Sequence, residues 1–150
     1  MAKDIVLATD GSAYSLEAAR YIAEARLLPE GGRVRVVHVA ASLPNNVSRF
    51  VDRQVIQDWY REEAEKVLEP TAAVLREAGV PCDTVSLTGF APKEITRYAE
   101  EADAHMIVMG AHGRGVLVDA VLGSVAGRVL AMTQRPVLLI QKAEPAAGAS

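Results

Sequence analysis

Short apolar segments alternate with longer amphipathic segments along the chain, and this alternation restricts the possible folds more than any other sequence feature. The segment Ile5–Ala8 is apolar at every position, which is typical of a parallel strand covered on both faces. Four further segments have strand character, and those between them carry apolar residues at helical spacing. The predicted strands are Ile5–Ala8, Val34–Ala40, 83–88, 105–109 and Val137–Ile140.

The predicted helices lie between these strands, at residues 12–28, 53–78 and 125–133, with a shorter one between Pro92 and Ala102. Regular alternation of this kind predicts an α/β fold, with one open, five-stranded parallel sheet and helices on both faces. With strands one to three wound in one direction and strands four and five in the other, the strand order is 3-2-1-4-5. Pro70 is expected to kink or split the long second helix, and Gly79 to end it in a left-handed conformation.

The composition predicts a single domain with a hydrophobic core and without a strong charge bias. Half of the 150 residues are hydrophobic and the formal net charge is −3, whereas a general nucleic-acid-binding protein normally carries a basic face. The single cysteine, Cys82, excludes an intramolecular disulfide and a cysteine-rich zinc site. Without a signal-peptide pattern or a bilayer-spanning apolar run, we expect a cytoplasmic protein with no membrane or nucleic-acid partner. We expect one domain over residues 1–143 and a flexible tail at 144–150.

A glycine-punctuated loop joins the fourth predicted strand to the last helix, and it is the strongest functional signal in the sequence. Glycines allow backbone N–H groups to approach an anion closely, and a helix N-terminus offers unpaired donors and a favourable dipole. Ser124 adds a hydroxyl at the helix start, and Arg114 adds a positive charge suited to phosphate. Gly123→Val is therefore expected to weaken the binding of a polyphosphate ligand at least ~tenfold by filling the space that phosphates need.

Ligands of open parallel sheets bind beyond the carboxyl ends of the strands, where the strand order reverses. That point lies between strands one and four, so Asp10 and the segment after Gly110 are expected to be neighbours. Asp10 either accepts hydrogen bonds from ribose or holds a divalent cation, or else it begins a turn and caps the first helix. The backbone near Val39, at the end of strand two, offers a donor and an acceptor for an adenine edge.

The remaining candidates are mostly interpreted as structural. His112 either contacts phosphate and acts as an acid or base, or is a partly exposed loop residue. His38 and His105 have no carboxylate or cysteine at metal-ligand spacing, so both are interpreted as structural. Arg128, one helical turn after Ser124, either reaches the anion or faces solvent.

The loop also resembles the phosphate motif of the universal stress protein family, in which glycine, two residues, glycine, nine residues and glycine precede serine or threonine. Gly110, Gly113, Gly123 and Ser124 match it without insertion, and the strand ending in Asp10 matches the family's opening. The resemblance covers about residues 3–142 and implies a Rossmann-like fold similar to that of adenine nucleotide alpha hydrolases. A departure is Asp119, which places a negative charge near the expected phosphates.

The resemblance further implies ATP as ligand, together with Mg²⁺ at Asp10. The residues implied to contact the nucleotide or metal are Asp10, Val39, Gly110, His112, Gly113, Arg114, Gly123, Ser124 and Val125. It also implies a homodimer through the last strand, formed by Val137, Leu138, Leu139 and Ile140.

Two functions remain open at this point: a nucleotide-dependent regulatory stress-response module, and a slow ATPase or a phosphoryl- or adenylyl-transferring enzyme. The sequence lacks a Walker lysine and supplies no clear base or charge clamp, which favours binding over turnover. A phosphoacceptor receiver domain is excluded because strand three ends in Thr88-Gly89 rather than in an aspartate. A dinucleotide-binding enzyme is disfavoured because its glycine loop should follow strand one.

Overall fold

Five parallel strands form one open sheet in the computed structural model, which describes residues 2–43, 50–113 and 122–141. The strand order is β3-β2-β1-β4-β5, which confirms the predicted fold class. The strands are β1 (Ile5–Ala8), β2 (Val34–Ala40), β3 (Cys82–Thr88), β4 (Met106–Gly110) and β5 (Val137–Ile140). The helices are α1 (Ala13–Glu24), α2 (Arg53–Glu77), α3 (Ala91–Glu101) and α4 (Ser124–Met132).

The central strand β1 divides its side chains between two hydrophobic cores. Ile5 and Leu7 pack in the core beneath α1 and α2, whereas Val6 and Ala8 pack in the core beneath α3 and α4. All four residues are buried, because successive side chains of a strand point to opposite faces and both faces carry helices. This burial fixes the register of β1 against its neighbours and therefore the place where β1 ends.

Helix α1 ends earlier than the sequence indicates. It stops at Glu24 rather than at residue 28, because Arg26 adopts a left-handed conformation (φ 53°) and the Leu27 N–H turns back to the Ile22 carbonyl. Leu27 and Leu28 still pack against the core, but from outside the helix. The apolar stripe predicted their burial correctly and their helical state wrongly.

Pro70 does not split the second helix, which runs as one element from Arg53 to Glu77. The helix loses a hydrogen bond at the proline, but its buried face continues on both sides of it, at Leu68 and at Ala72. Gly79 follows the helix with φ 76°, which confirms the predicted left-handed end.

Strand β4 begins one residue later than predicted, so His105 lies before it and is exposed. Among the described residues, no helix is long and apolar enough to cross a membrane. The predicted tail at 144–150 lies outside the described residues.

Candidate functional site

The carboxyl ends of β1, β2 and β4 open onto one cavity of about 390 Å³ between α3 and α4. It lies at the reversal of strand order, as the sequence predicts. Most of the candidate residues within the described part of the chain line this cavity: Asp10, Val39, Gly110, His112, Gly113, Gly123, Ser124 and Val125. Arg114 and Asp119 lie outside the described residues.

Main-chain groups of Val39 are exposed to the cavity because β1 ends before β2. The last paired residues of these strands are Ala8 and Val37, and the Thr9 N–H then donates to the Val37 carbonyl at 2.9 Å. Backbone groups alternate in direction along a strand, so the N–H and C=O of Val39 also face the β1 side. Within the described ranges neither group has a backbone partner on that side. Val39 therefore presents one donor and one acceptor side by side.

Asp10 takes the turn-forming role, which is one of the two that the sequence left open. Its Oδ1 accepts hydrogen bonds from the Ser12 N–H at 2.9 Å and from the Ser15 hydroxyl at 3.0 Å, which is a turn-forming role. The cap of α1 is Ser12 rather than Asp10, since the Ser12 hydroxyl accepts from the Ser15 N–H. The second oxygen, Oδ2, lies against Gly113, where the ends of β1 and β4 meet.

The motif glycines are needed for close approach between parts of the protein. A Cβ at Gly110 would lie 2.6 Å from the Cβ of Tyr14 on α1, and a Cβ at Gly113 would collide with the Asp10 Oδ2. A Cβ at Gly123 would lie 3.0 Å from the Ala111 carbonyl oxygen. The sequence predicts that these glycines leave space for phosphate. That reason is incomplete, because a side chain at any of the three positions would already collide with or press on protein atoms.

The start of α4 supplies backbone donors to the same cavity. The first helical bond runs from the Gly127 N–H to the Gly123 carbonyl, so the N–H groups of residues 124–126 have no intrahelical acceptor. The Gly123 N–H is not among these donors, since it bonds the Ala111 carbonyl at 2.6 Å. The helix dipole adds a partial positive charge at this end, which favours an anionic ligand.

His112 packs edge-on against the ring of Tyr14, with centroids 5.3 Å apart. Its Nδ1 is buried and has no hydrogen-bond partner among the described residues. A buried ring nitrogen without a partner costs free energy, and this atom is closed off from the open cavity rather than facing it. The residue as a whole is half-buried, in agreement with the partly exposed loop residue that the sequence allows.

Arg128 lies over the ring of Phe90, 5.6 Å from its centroid, and is exposed. Both residues stand beside cavity-lining positions, at the start of α3 and in α4. The sequence left open whether Arg128 reaches the anion or faces solvent. The structure favours the second alternative, because Arg128 contacts an aromatic ring and is not among the cavity-lining residues.

Sequence reasoning missed His38 and Thr9, which both line the cavity. The His38 Nδ1 lies 3.1 Å from the Thr9 carbonyl oxygen, and the Thr9 hydroxyl lies 2.9 Å from that of Thr71 in α2. Their only sequence signal is position, because each directly precedes a predicted site residue, Val39 and Asp10. Metal-ligand spacing, the test applied to His38, cannot detect a hydrogen bond to main chain.

The fold and this loop geometry agree with a family-level match over most of the chain. The model of the universal stress protein family matches residues 1–141. The chain belongs to the universal stress protein family. Among its relatives, universal stress protein MJ0531 of Methanocaldococcus jannaschii is 35% identical over 147 residues, which cover 93% of this chain and 82% of that protein.

Solved structures of universal stress proteins share the architecture. The structure of MJ0577 from M. jannaschii superposes with a TM-score of 0.81 at 26% identity, covering 97% of this chain and 99% of the other. The universal stress protein from Archaeoglobus fulgidus, solved in complex with dAMP, superposes with a TM-score of 0.66 at 29% identity. That comparison covers 94% of this chain and 98% of the other.

Proposed function

We propose that the cavity binds ATP and that the protein is a nucleotide-dependent regulatory module of the stress response. The observation that carries the proposal is the placement, on two walls of one cavity, of main-chain groups that have no partner in the described part of the chain, at Val39 and at the start of α4. The dAMP complex of the A. fulgidus relative supports an adenine nucleotide as the ligand class.

The Val39 main chain would select adenine. Adenine presents an acceptor at N1 beside a donor at N6, which complements the N–H and C=O of Val39, whereas guanine presents the reverse pattern. A site that aligns buried polar groups with one pattern rejects the other, because two groups would then be left unpaired. Asp10 would accept from the ribose hydroxyls, and the N–H groups of residues 124–126 would donate to the phosphates.

A magnesium ion is part of the proposal, although the described residues contain no cluster of three metal-ligating side chains. Mg²⁺ is commonly held by one or two carboxylates together with phosphate oxygens and water. Asp10 fits the role of such a single protein ligand. The ion would also reduce the repulsion between the Asp10 carboxylate and a polyphosphate.

Calorimetric titration tests the proposal directly. ATP should bind more tightly than GTP, and Asp10→Ala should weaken ATP binding by about ten- to a hundredfold, the range expected when a hydrogen bond to a charged group is lost. Asp58→Ala, whose carboxylate pairs with Arg61 on the exposed side of α2, is the matched control and should bind as the wild type does. Equal affinity for ATP and GTP, or no effect of Asp10→Ala, would contradict the proposed site.

The proposed assembly is a homodimer through β5. This strand is the sheet edge, and alternation from the Ile140 carbonyl, which accepts from Ala111, turns the main-chain groups of Val137 and Leu139 outward. An apolar edge with unpaired groups favours pairing with another strand. Native mass spectrometry of the purified protein would report the subunit count and any nucleotide that co-purifies. A monomer at micromolar concentration would contradict this assembly.

Slow ATP hydrolysis is the second candidate, favoured by the presence of His112 in the lining of the cavity. A histidine nitrogen beside the cavity is suited to accept a proton from an attacking water. Single-turnover measurements on the wild type and on His112→Ala separate the candidates. Regulation predicts no hydrolysis beyond the uncatalysed rate, and catalysis predicts a measurable rate that the substitution abolishes.

A further inference from the structure

The hydrogen bond between His38 and Thr9 lies where the pairing of β1 with β2 stops. In a parallel ladder, the Thr9 N–H donates to the Val37 carbonyl, and the Val39 N–H would next donate to the Thr9 carbonyl. The first of these bonds is present at 2.9 Å, and the second is not formed. Instead, the His38 Nδ1 lies 3.1 Å from the Thr9 carbonyl oxygen. A carbonyl oxygen only accepts, so Nδ1 carries the proton.

The position of Thr9 is fixed by hydrogen bonds of its own, so the donor that reaches its carbonyl, His38 instead of Val39, affects which groups of β2 stay unpaired. Its hydroxyl lies 2.9 Å from the hydroxyl of Thr71, which is fully buried in α2, and accepts the Gly11 N–H at 3.1 Å. Thr9 itself is only 6% exposed. Because the side chain and the N–H of Thr9 are both engaged, its carbonyl has a fixed direction, and although a carbonyl can accept two hydrogen bonds, the one from His38 already satisfies it.

We propose that His38 is a positioning residue that caps the β1–β2 ladder and thereby keeps the Val39 N–H available to a ligand. Its imidazole takes the carbonyl that would otherwise pair with Val39. Without it, β2 would extend its pairing by one bond and withdraw the donor that faces the cavity. This inference rests on the proposed function for its ligand, the adenine base, but its structural half concerns only the protein.

Amide hydrogen exchange, followed residue by residue by NMR on the full chain, tests the structural half without any ligand. In the wild type the Val39 N–H should exchange rapidly, and ATP should slow it. In His38→Leu, the Val39 N–H should bond the Thr9 carbonyl. Its exchange should then slow by up to about tenfold, the protection expected of a ladder bond near a strand end. His38→Asn is the matched control, because its amide N–H is attached to Cγ as Nδ1 is, and it should behave as the wild type does.

Nucleotide selectivity tests the functional half. The probes are ATP and ITP, which differ only at the base edge proposed to meet Val39. The wild type and His38→Asn should prefer ATP by about tenfold or more, and His38→Leu should lose most of that preference. A purely structural role of His38 would lower both affinities together and leave their ratio unchanged.

The outcomes separate this inference from the proposed function. Equal Val39 exchange rates in the wild type and His38→Leu would overturn the capping role, whatever nucleotide binds. If His38→Leu does not fold, the wild type alone decides, because strong protection of its Val39 N–H without nucleotide would overturn the role equally. The expected exchange pattern combined with equal affinity for ATP and ITP would support the capping role and overturn adenine recognition by Val39.

Discussion

The two ends of the sheet treat their polar groups in opposite ways. At the amino end, charged side chains pair with one another: Arg33 bonds the Asp83 carboxylate at 2.7 Å, and Arg35 bonds Asp4 at 3.1 Å and Asp83 at 3.3 Å. At the carboxyl end, main-chain groups of Val39 and of the first turn of α4 line a cavity and have no partner within the described ranges.

The difference follows from where the strands stop. At the amino end, β1, β2 and β3 begin nearly level, at the aligned positions Ile5, Val34 and Cys82, so their flanking side chains meet across the sheet. At the carboxyl end, β1 stops at Ala8 while β2 continues to Ala40. This stagger leaves backbone groups without a neighbouring strand. One sheet thereby has a self-paired end and an end with unused hydrogen-bonding capacity.

The largest effect is expected from Gly113→Ala, which acts at the carboxyl end. The new Cβ would displace the Asp10 carboxylate from its bonds to Ser12 and Ser15, since Oδ2 occupies its position. ATP affinity should fall by about ten- to a hundredfold. Gly127→Ala is the matched control, because its Cβ would find only an ordinary 3.6 Å contact with Leu122. If calorimetry shows equal losses of ATP affinity for both variants, displacement of the Asp10 carboxylate is not the cause of the loss.

A smaller loss is expected from Gly123→Val, for a reason that differs from the one the sequence indicates. The added Cβ would press on the Ala111 carbonyl at 3.0 Å and on the His112 Cα at 3.3 Å, and so would move the loop that carries His112. ATP should bind about tenfold more weakly, equivalent to about 1.4 kcal/mol. Circular dichroism checks that the fold is retained, and unchanged affinity in calorimetry would show that this loop does not shape the site.

The smallest effect is expected at the amino end. Hydrogen bonding to Arg33 holds the pKa of Asp83 below its ordinary value. A carboxylate with a lowered folded-state pKa stabilises the fold above its unfolded pKa, and this contribution is lost as the pH falls through the folded-state pKa. Asp83→Asn should therefore lower the free energy of unfolding slightly at pH 7 and not at all once the carboxyl is protonated.

Exposed ion pairs contribute little to stability, so the Asp83→Asn effect should be small, and ATP affinity should not change. Denaturant unfolding at several pH values measures the first quantity, and calorimetry with ATP measures the second. A loss of nucleotide affinity in this variant would contradict the claim that only the carboxyl end of the sheet contributes to nucleotide binding.

Side-chain periodicity predicted the strands closely, because burial on two faces dictates them, whereas their order followed from the reversal of winding between strands one and four. The continuous apolar run of β1 and the β-branched run of β2 gave strand bounds that the structure reproduces. The end of α1 was wrong because periodicity does not reveal the left-handed Arg26. The effect of Pro70 was overestimated, because burial on both sides of it outweighs one lost hydrogen bond.

The position of the site was predictable from topology, whereas its internal contacts were not. Asp10 and Gly113 meet because parallel strands end at the same edge, which the strand order already implies. The bond between His38 and Thr9 depends on the register of β1 against β2 and on the direction of one side chain. No local pattern encodes either quantity.

The most direct test of the account is a titration of the labelled protein with ATP and Mg²⁺, followed through every backbone amide by NMR. We expect the largest shifts at the carboxyl end, at Val39, Gly113 and residues 124–126, and almost none at Arg33, Arg35 or Asp83. Shifts concentrated at the amino end, or no saturable shifts at millimolar ATP, would contradict the claim that the unpaired backbone beyond β1 is a nucleotide site.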